Sequence, residues 1–222
     1  MINPEAGGLD ERADSLAMPQ SHGDLVGAEG NAPGSSTLAA FTRSRKLYPG
    51  PMNVEQRDLR DQARAERRSG KMLERLVRVG VRTLHDRRLP HSLGQLDHVV
   101  VAGSGVYVVN AVAVTTRKPL EWLGGRLCIA GQTLTELADF TIAAAEEIAI
   151  AVARAFNPGW AIAVFPIITI VGERFGSHSD DGVELVGVER LPERIMNRES
   201  LLDPAEVAVL GDAAAVACPP AE

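Results

Sequence analysis

The sequence is poor in cysteine, in aromatic residues and in long apolar runs, and each shortage excludes something. Cys128 and Cys218 are too few and too far apart in sequence for a disulfide framework or a zinc cluster. A reducing cytoplasm is therefore the expected compartment. With five Phe, two Tyr and two Trp, no aromatic platform for stacking bases is evident, so composition does not separate DNA from RNA as a ligand. The apolar stretch from Thr141 to Phe156 is interrupted by Glu146 and Glu147, and that from Trp160 to Val171 is too short to cross a bilayer. The opening residues, MINPEAGGLDERADSLAMPQ, lack the basic segment and hydrophobic run of a secretory signal, so no membrane anchor is expected. No phosphate-binding Gly-x-x-x-x-Gly-Lys-Ser loop, dinucleotide fingerprint, His-Glu-x-x-His helix or Gly-x-Ser-x-Gly elbow is present.

What is present is a polarised charge distribution. Residues 1–40 carry a net charge of −5, residues 41–90 carry +8 and the remainder −9. The first fifty residues are rich in Gly, Pro, Ser, Ala and acids without a sustained apolar period, which predicts a disordered acidic tail. The length suits one domain plus that tail, and we place the domain at residues 51–210 with a short C-terminal tail at 211–222.

Within the domain, Val54 to Val79 reads as a long basic helix, with Leu59, Ala63, Met72, Leu73, Leu76 and Val77 near helical spacing. Strands are predicted at Val81–His85, Leu96–Ala102 and Val106–Val114, the last two joined as a hairpin through Gly103, Ser104 and Gly105. A strand at Arg126–Ala130, a helix at Leu134–Phe156, a buried central strand at Trp160–Val171 and a short strand at Val183–Gly187 follow. Asp203 and Pro204 open a closing helix through Val209. The fold class is α/β.

Metal-dependent phosphodiester cleavage needs carboxylates converging on a divalent cation, often beside a lysine that stabilises developing charge. In one common layout a helix and a strand each supply an acid, and the next strand supplies an acid and a lysine two residues apart on one face. Here Glu66 lies on the first helix and Asp97 in the second strand, but the third-strand positions hold Asn110 and Val112. The chain reads Ala65-Glu66-Arg67-Arg68, then Leu84-His85-Asp86-Arg87-Arg88-Leu89-Pro90, then Leu96-Asp97-His98-Val99-Val100-Val101, then Gly105-Val106-Tyr107-Val108-Val109-Asn110-Ala111-Val112. In order and spacing these blocks resemble the NERD (nuclease-related) family of the restriction-endonuclease-like PD-(D/E)xK superfamily.

That resemblance implies a restriction-endonuclease-like core, a central mixed sheet flanked by helices, and a role with DNA or another nucleic acid. It also implies Glu66 and Asp97 as ligands of Mg²⁺ or Mn²⁺. The departures imply that the metal is weakly held or lost: Asn110 offers a neutral oxygen without charge, and Val112 stabilises no oxyanion. Arg57, Arg60, Arg64, Arg67, Arg68 and Lys71 are the candidate phosphate contacts on the basic helix. One alternative is an active Mg²⁺-dependent nuclease whose missing cation comes from Arg117, Lys118 or Lys71. The other is a protein-interaction module that uses the fold as scaffold. His98, facing away from Asp97, and His85 are expected as packed residues, and Cys128 as a small core residue.

Overall fold

The computed structural model describes residues 32–221 except 93, 125, 157–160 and 181. Helices α1 (Ser35–Leu47) and α2 (Val54–Glu74) come first, and a 3-10 turn at Arg75–Val79 continues α2. Strands β1 (Arg82–Arg88), β2 (Gln95–Ala102) and β3 (Gly105–Ala113) follow, then β4 (Leu120–Leu123), β5 (Arg126–Ile129), β6 (Gln132–Thr133) and helix α3 (Thr135–Phe156). The chain continues through β7 (Val164–Val171), β8 (Ser177–Asp180), β9 (Val183–Gly187), α4 (Leu191–Met196) and α5 (Pro204–Ala217).

Local signals set the main boundaries. Asn53 caps α2 reciprocally with Gln56, its side chain accepting from the Gln56 amide at 2.8 Å. Asp203 does the same for α5 with Glu206, and Pro204 occupies the first turn. The β2–β3 hairpin forms as expected, with Ala102 paired to Gly105. Gly105 (φ +133°) is required there, because a Cβ would meet the Ala163 carbonyl oxygen at 2.4 Å.

The main sheet runs β1-β2-β3-β7-β9-β8, antiparallel from β1 to β3, parallel across β3, β7 and β9, and antiparallel again at β8. Strands β4, β5 and β6 form a separate small sheet. The parallel centre of the main sheet explains why β7 is a continuous apolar run: parallel strands are covered on both faces. On one face Val99, Val101, Val106 and Val108 pack against Ala144, Ile148 and Val152 of α3 and against Val207 and Leu210 of α5. On the other, Val100, Tyr107, Val109 and Ile167 pack against Leu73 and Leu76, and against Leu191 and Ile195 of α4. The fold is thus a mixed sheet between helices.

Several boundaries differ from expectation. Residues 1–31 of the expected disordered tail lie outside the described residues, whereas Ser35–Leu47 is a helix, fixed by contacts to α2 and β1 that no local period announces. The expected C-terminal tail is structured too: α5 runs on to Ala217 and buries Gly211, Ala214 and Cys218. Its run of small residues packs without an apolar stripe. Strand β1 extends to Arg88, the Arg126 strand belongs to the small sheet, and β4, β6, β8 and α4 had no sequence signal strong enough to announce them. Trp160, expected to open the central strand, lies outside the described residues. Among the described residues no helix is long and apolar enough to cross a membrane.

The burial pattern of α3 gives a direct test. Ile148→Ala, at a position with no solvent exposure, is expected to cost about 2–5 kcal/mol in urea unfolding. Ile150→Ala, 52% exposed on the same helix, is expected to change stability by less than about 0.5 kcal/mol.

Candidate functional site

The site begins where β2 leaves its neighbours. Pairing with β1 includes His85–His98 and Arg87–Leu96 but skips Asp86–Asp97, and pairing with β3 ends at His98–Val109. Asp86 adopts φ +52°, a left-handed conformation that Asp tolerates better than most residues. Alternation slips at the same place: Leu96 joins Val99 and Val101 in the α3–α5 cluster although it is an odd number of residues from them. Asp97 sits in the gap. Its Oδ2 accepts the Ala111 amide at 2.7 Å, so a carboxylate takes the ladder position that backbone has vacated.

From the adjoining helix, Glu66 points inward and is 3% exposed. Its Oε1 accepts from Thr37 Oγ1 at 2.9 Å and from Gln62 Nε2 at 3.0 Å, and Gln62 also donates to the Ala111 carbonyl at 2.7 Å. Ala111 is thus held from both sides, by Asp97 and by Gln62. The third carboxylate of the neighbourhood is Asp86, which the sequence pattern did not single out. Its oxygens accept from Ser35 Oγ at 2.6 Å, the Ser36 amide at 3.0 Å, Gln95 Nε2 at 2.8 Å and Ser36 Oγ. No sequence signal marked it, because the interruption of pairing comes from the left-handed conformation of Asp86 itself.

The three acids feel one another. Burial raises the Glu66 pKa to about 7, opposed by the Thr37 and Gln62 hydrogen bonds and reinforced by the Asp86 charge. Asp97 is held well above the usual carboxylate range by removal from water, then by the charges of Glu66 and Asp86, while the Ala111 amide pulls the other way.

The other two positions of the pattern have partners outside the acidic cluster. Asn110 Nδ2 donates to Thr141 Oγ1 on α3 at 2.9 Å, and the Thr141 hydroxyl in turn donates to the Leu137 carbonyl. The Asn110 amide oxygen lies 3.5 Å from the Asp97 amide. Val112 packs with Val114, Ile168 and Ile170 and lines a cleft of about 700 Å³ shared with Gln62, Asp58, Asp61 and Lys118. The cations considered as replacements are engaged or distant: Arg117 pairs with Asp61, Lys118 with Asp58 at 2.9 Å, and Lys71 is exposed further along α2. Among the described residues no group of three or more His, Cys, Asp or Glu side chains is arranged to hold a metal ion. One oxygen of Glu66, one of Asp97 and both of Asp86 are already taken by protein donors, so the residues as placed do not fit a divalent cation.

The outer face of α2 has the opposite character. Arg57, Arg64, Arg67, Arg68 and Lys71 are exposed, Arg60 is half-buried, and Arg75 and Arg78 extend the row along the 3-10 turn. Asp61 engages Arg60 at 3.1 Å and Arg64 at 3.9 Å, and Arg68 pairs with Glu189. Arg57, Arg67, Lys71, Arg75 and Arg78 make no ion pair among the described residues. The 700 Å³ cleft, by contrast, is lined by Glu55, Asp58 and Asp61 against the single cation Lys118, a poor surface for phosphate.

Two buried histidines lock α2 to the sheet. Ser69 Oγ lies 2.9 Å from the Glu66 carbonyl and 2.6 Å from His98 Nε2, and His98 Nδ1 lies 2.9 Å from His85 Nδ1. With Ser69 donating to the carbonyl, His98 donates to Ser69 and His85 donates to His98, which satisfies these three contacts with two neutral rings and leaves His85 Nε2, 4.0 Å from Glu74, without a hydrogen bond. Both are packed residues, as expected. Burial first, then the Arg87 charge, lowers the His85 pKa to about 4.

The family model of the nuclease-related domain (NERD) matches residues 61–122, a span that contains Glu66, Asp86, Asp97, Asn110 and Val112. No curated protein and no solved structure matches the chain.

The histidine pair gives the chain an acid-sensitive contribution. His85 binds its proton at about pH 4 when folded and at about 6.5 when unfolded, so its contribution is full above pH 6.5 and is lost as pH falls toward 4. In His85→Gln, unfolding free energies from urea titrations at pH 7 and pH 5 are expected to differ less than in the wild type, by on the order of 1–2 kcal/mol. An unchanged difference would refute the neutral pair.

Proposed function

We propose that the protein, whose residues 61–122 match the nuclease-related domain model, binds nucleic acid through the exposed face of α2 and has lost efficient phosphodiester cleavage. The observation that carries the reading is the third strand. Where the PD-(D/E)xK pattern calls for an acid and a lysine, Asn110 is bonded to Thr141 and Val112 is packed in apolar contacts. Loss of one charge-stabilising donor alone costs roughly 10²- to 10³-fold in rate. Mg²⁺ or Mn²⁺ would fall to Glu66 and Asp97, two carboxylates that each have an oxygen already hydrogen-bonded.

The geometry of α2 supports binding without cutting. Its cations face solvent while Glu66 faces the sheet, so a strand lying along Arg64, Arg67, Lys71 and Arg75 is held on the far side of the helix from Asp97. Such contacts carry affinity without sequence preference.

Fluorescence anisotropy with a short DNA duplex at several salt concentrations tests this reading. Affinity is expected to fall linearly with salt on logarithmic axes, and Arg64→Ala/Arg67→Ala/Lys71→Ala to flatten the slope by about 0.9 for each phosphate no longer neutralised. Retention indifferent to salt, or to these substitutions, would sink the reading.

Wild type is expected to show no Mg²⁺-dependent cleavage of the same duplex. Cleavage that Asp97→Ala abolishes would establish instead an active enzyme with a relocated cation, for which Lys118 is placed in the same cleft as Val112. A protein-interaction role would use a different surface: β4 is an edge strand of the small sheet with Trp122 and Leu123 about half exposed, and it requires no nucleic acid retention at low salt.

A further inference from the structure

We propose that the first turn of α1 closes over Glu66 and Asp86, the two acids of the cluster that lie beside Asp97, as a built-in substitute for a divalent cation, so that this helix has to lift before a cation can enter. The inference rests on the reading of the cluster as a nuclease-type site.

Four donors from three consecutive residues point at the acids. Ser35 Oγ and the Ser36 amide share Asp86 Oδ2, Ser36 Oγ serves Oδ1, and Thr37 Oγ1 serves Glu66. The amide end of a helix carries partial positive charge, and hydroxyl donors add to it, so the turn offsets carboxylate repulsion much as a metal would. Gln95 joins in by donating both to Asp86 and to Ser36 Oγ. The approach is shaped to fit as well. Pro33 lies over Gly70 of α2 so closely that a Cβ there would come within 2.3 Å of its ring, and Gly34, at φ +70°, passes 3.1 Å from Glu66 Oε2 by the same measure.

The helix is nevertheless weakly anchored elsewhere. No residue of Ser35–Leu47 is fully buried, and its far end is held by hydrogen bonds from Gln56 to Ser44 and Tyr48. An element with so little buried apolar surface opens at a lower free energy than the sheet beneath it. The cluster is sealed by polar contacts rather than by core packing.

Mn²⁺ titration calorimetry on the full chain, its Ser35→Ala/Ser36→Ala/Thr37→Ala variant and its Gly70→Ala variant tests the proposal. The first variant removes the donors. The second wedges Pro33 away without touching a carboxylate or weakening the helical preference of α2. Each is expected to bind Mn²⁺ at least about tenfold more tightly than the wild type, since hydrogen bonds to charged groups are among the stronger ones. Adding Asp97→Asn to the triple variant is expected to erase the gain.

Equal affinities across the three proteins, undetectable binding in all of them included, would overturn the proposal, as would a gain that survives Asp97→Asn. Amide exchange across Ser35–Leu47 in the same proteins reads the helix itself. Faster exchange without a gain in affinity, or a gain without faster exchange, also overturns it. Salt-dependent DNA binding along α2 reports separately on the proposed function, so failure of that binding with the Mn²⁺ result intact counts against the function and not against the role of α1.

Discussion

The interaction on which the rest of the structure depends is the hydrogen bond from the Ala111 amide to Asp97. A strand in mid-sheet cannot leave its partner without exposing amide and carbonyl groups, each costly to bury unpaired. Asp97 resolves that for β3 with one carboxylate oxygen, and Gln62 takes the Ala111 carbonyl from the other side. Because both are present, β2 can part from β3 beyond His98, the gap can open, and Glu66 and Asp86 can reach it. Asp97 therefore supports the sheet as well as any chemistry assigned to it.

The electrostatics follow from that opening. Three acids share a poorly solvated space, and burial with mutual repulsion raises Glu66 and Asp97 together. A nuclease site meets this tension with a cation. Here donors from α1, Gln62 and the β3 backbone meet it, while Asn110 has turned to α3 and the cations of α2 lie outside. Each contact is locally sensible, and together they leave the three acids satisfied by neutral donors.

Much of this was legible in the sequence, and the exceptions have physical causes. The hairpin, the buried β7 run and the caps of α2 and α5 follow from periodicity and turn chemistry, and the central block around Asp97 and Asn110 carried the family resemblance. The charge of Glu66 acts on Asp97 across the gap. Asp86 escaped notice because its role arises from one left-handed residue, a conformation that residue type permits without announcing. Helix α1 escaped because its stability comes from acids fifty and twenty-nine residues away in sequence, at Asp86 and Glu66. The extension of α5 was hidden by alanines and a glycine, which pack closely but make no apolar stripe.

The division of α2 into an inward and an outward face limits how the helix can change over evolutionary time. Each inserted or deleted residue turns everything beyond it by about 100°. A single deletion between Gln62 and Glu66 would swing Arg67 toward Asp97 and take Ser69 away from His98. Substitutions on the outer face carry no such penalty. The helix is free to vary in composition on one side, but its length between Gln62 and Ser69 is fixed by the side that is out of sight.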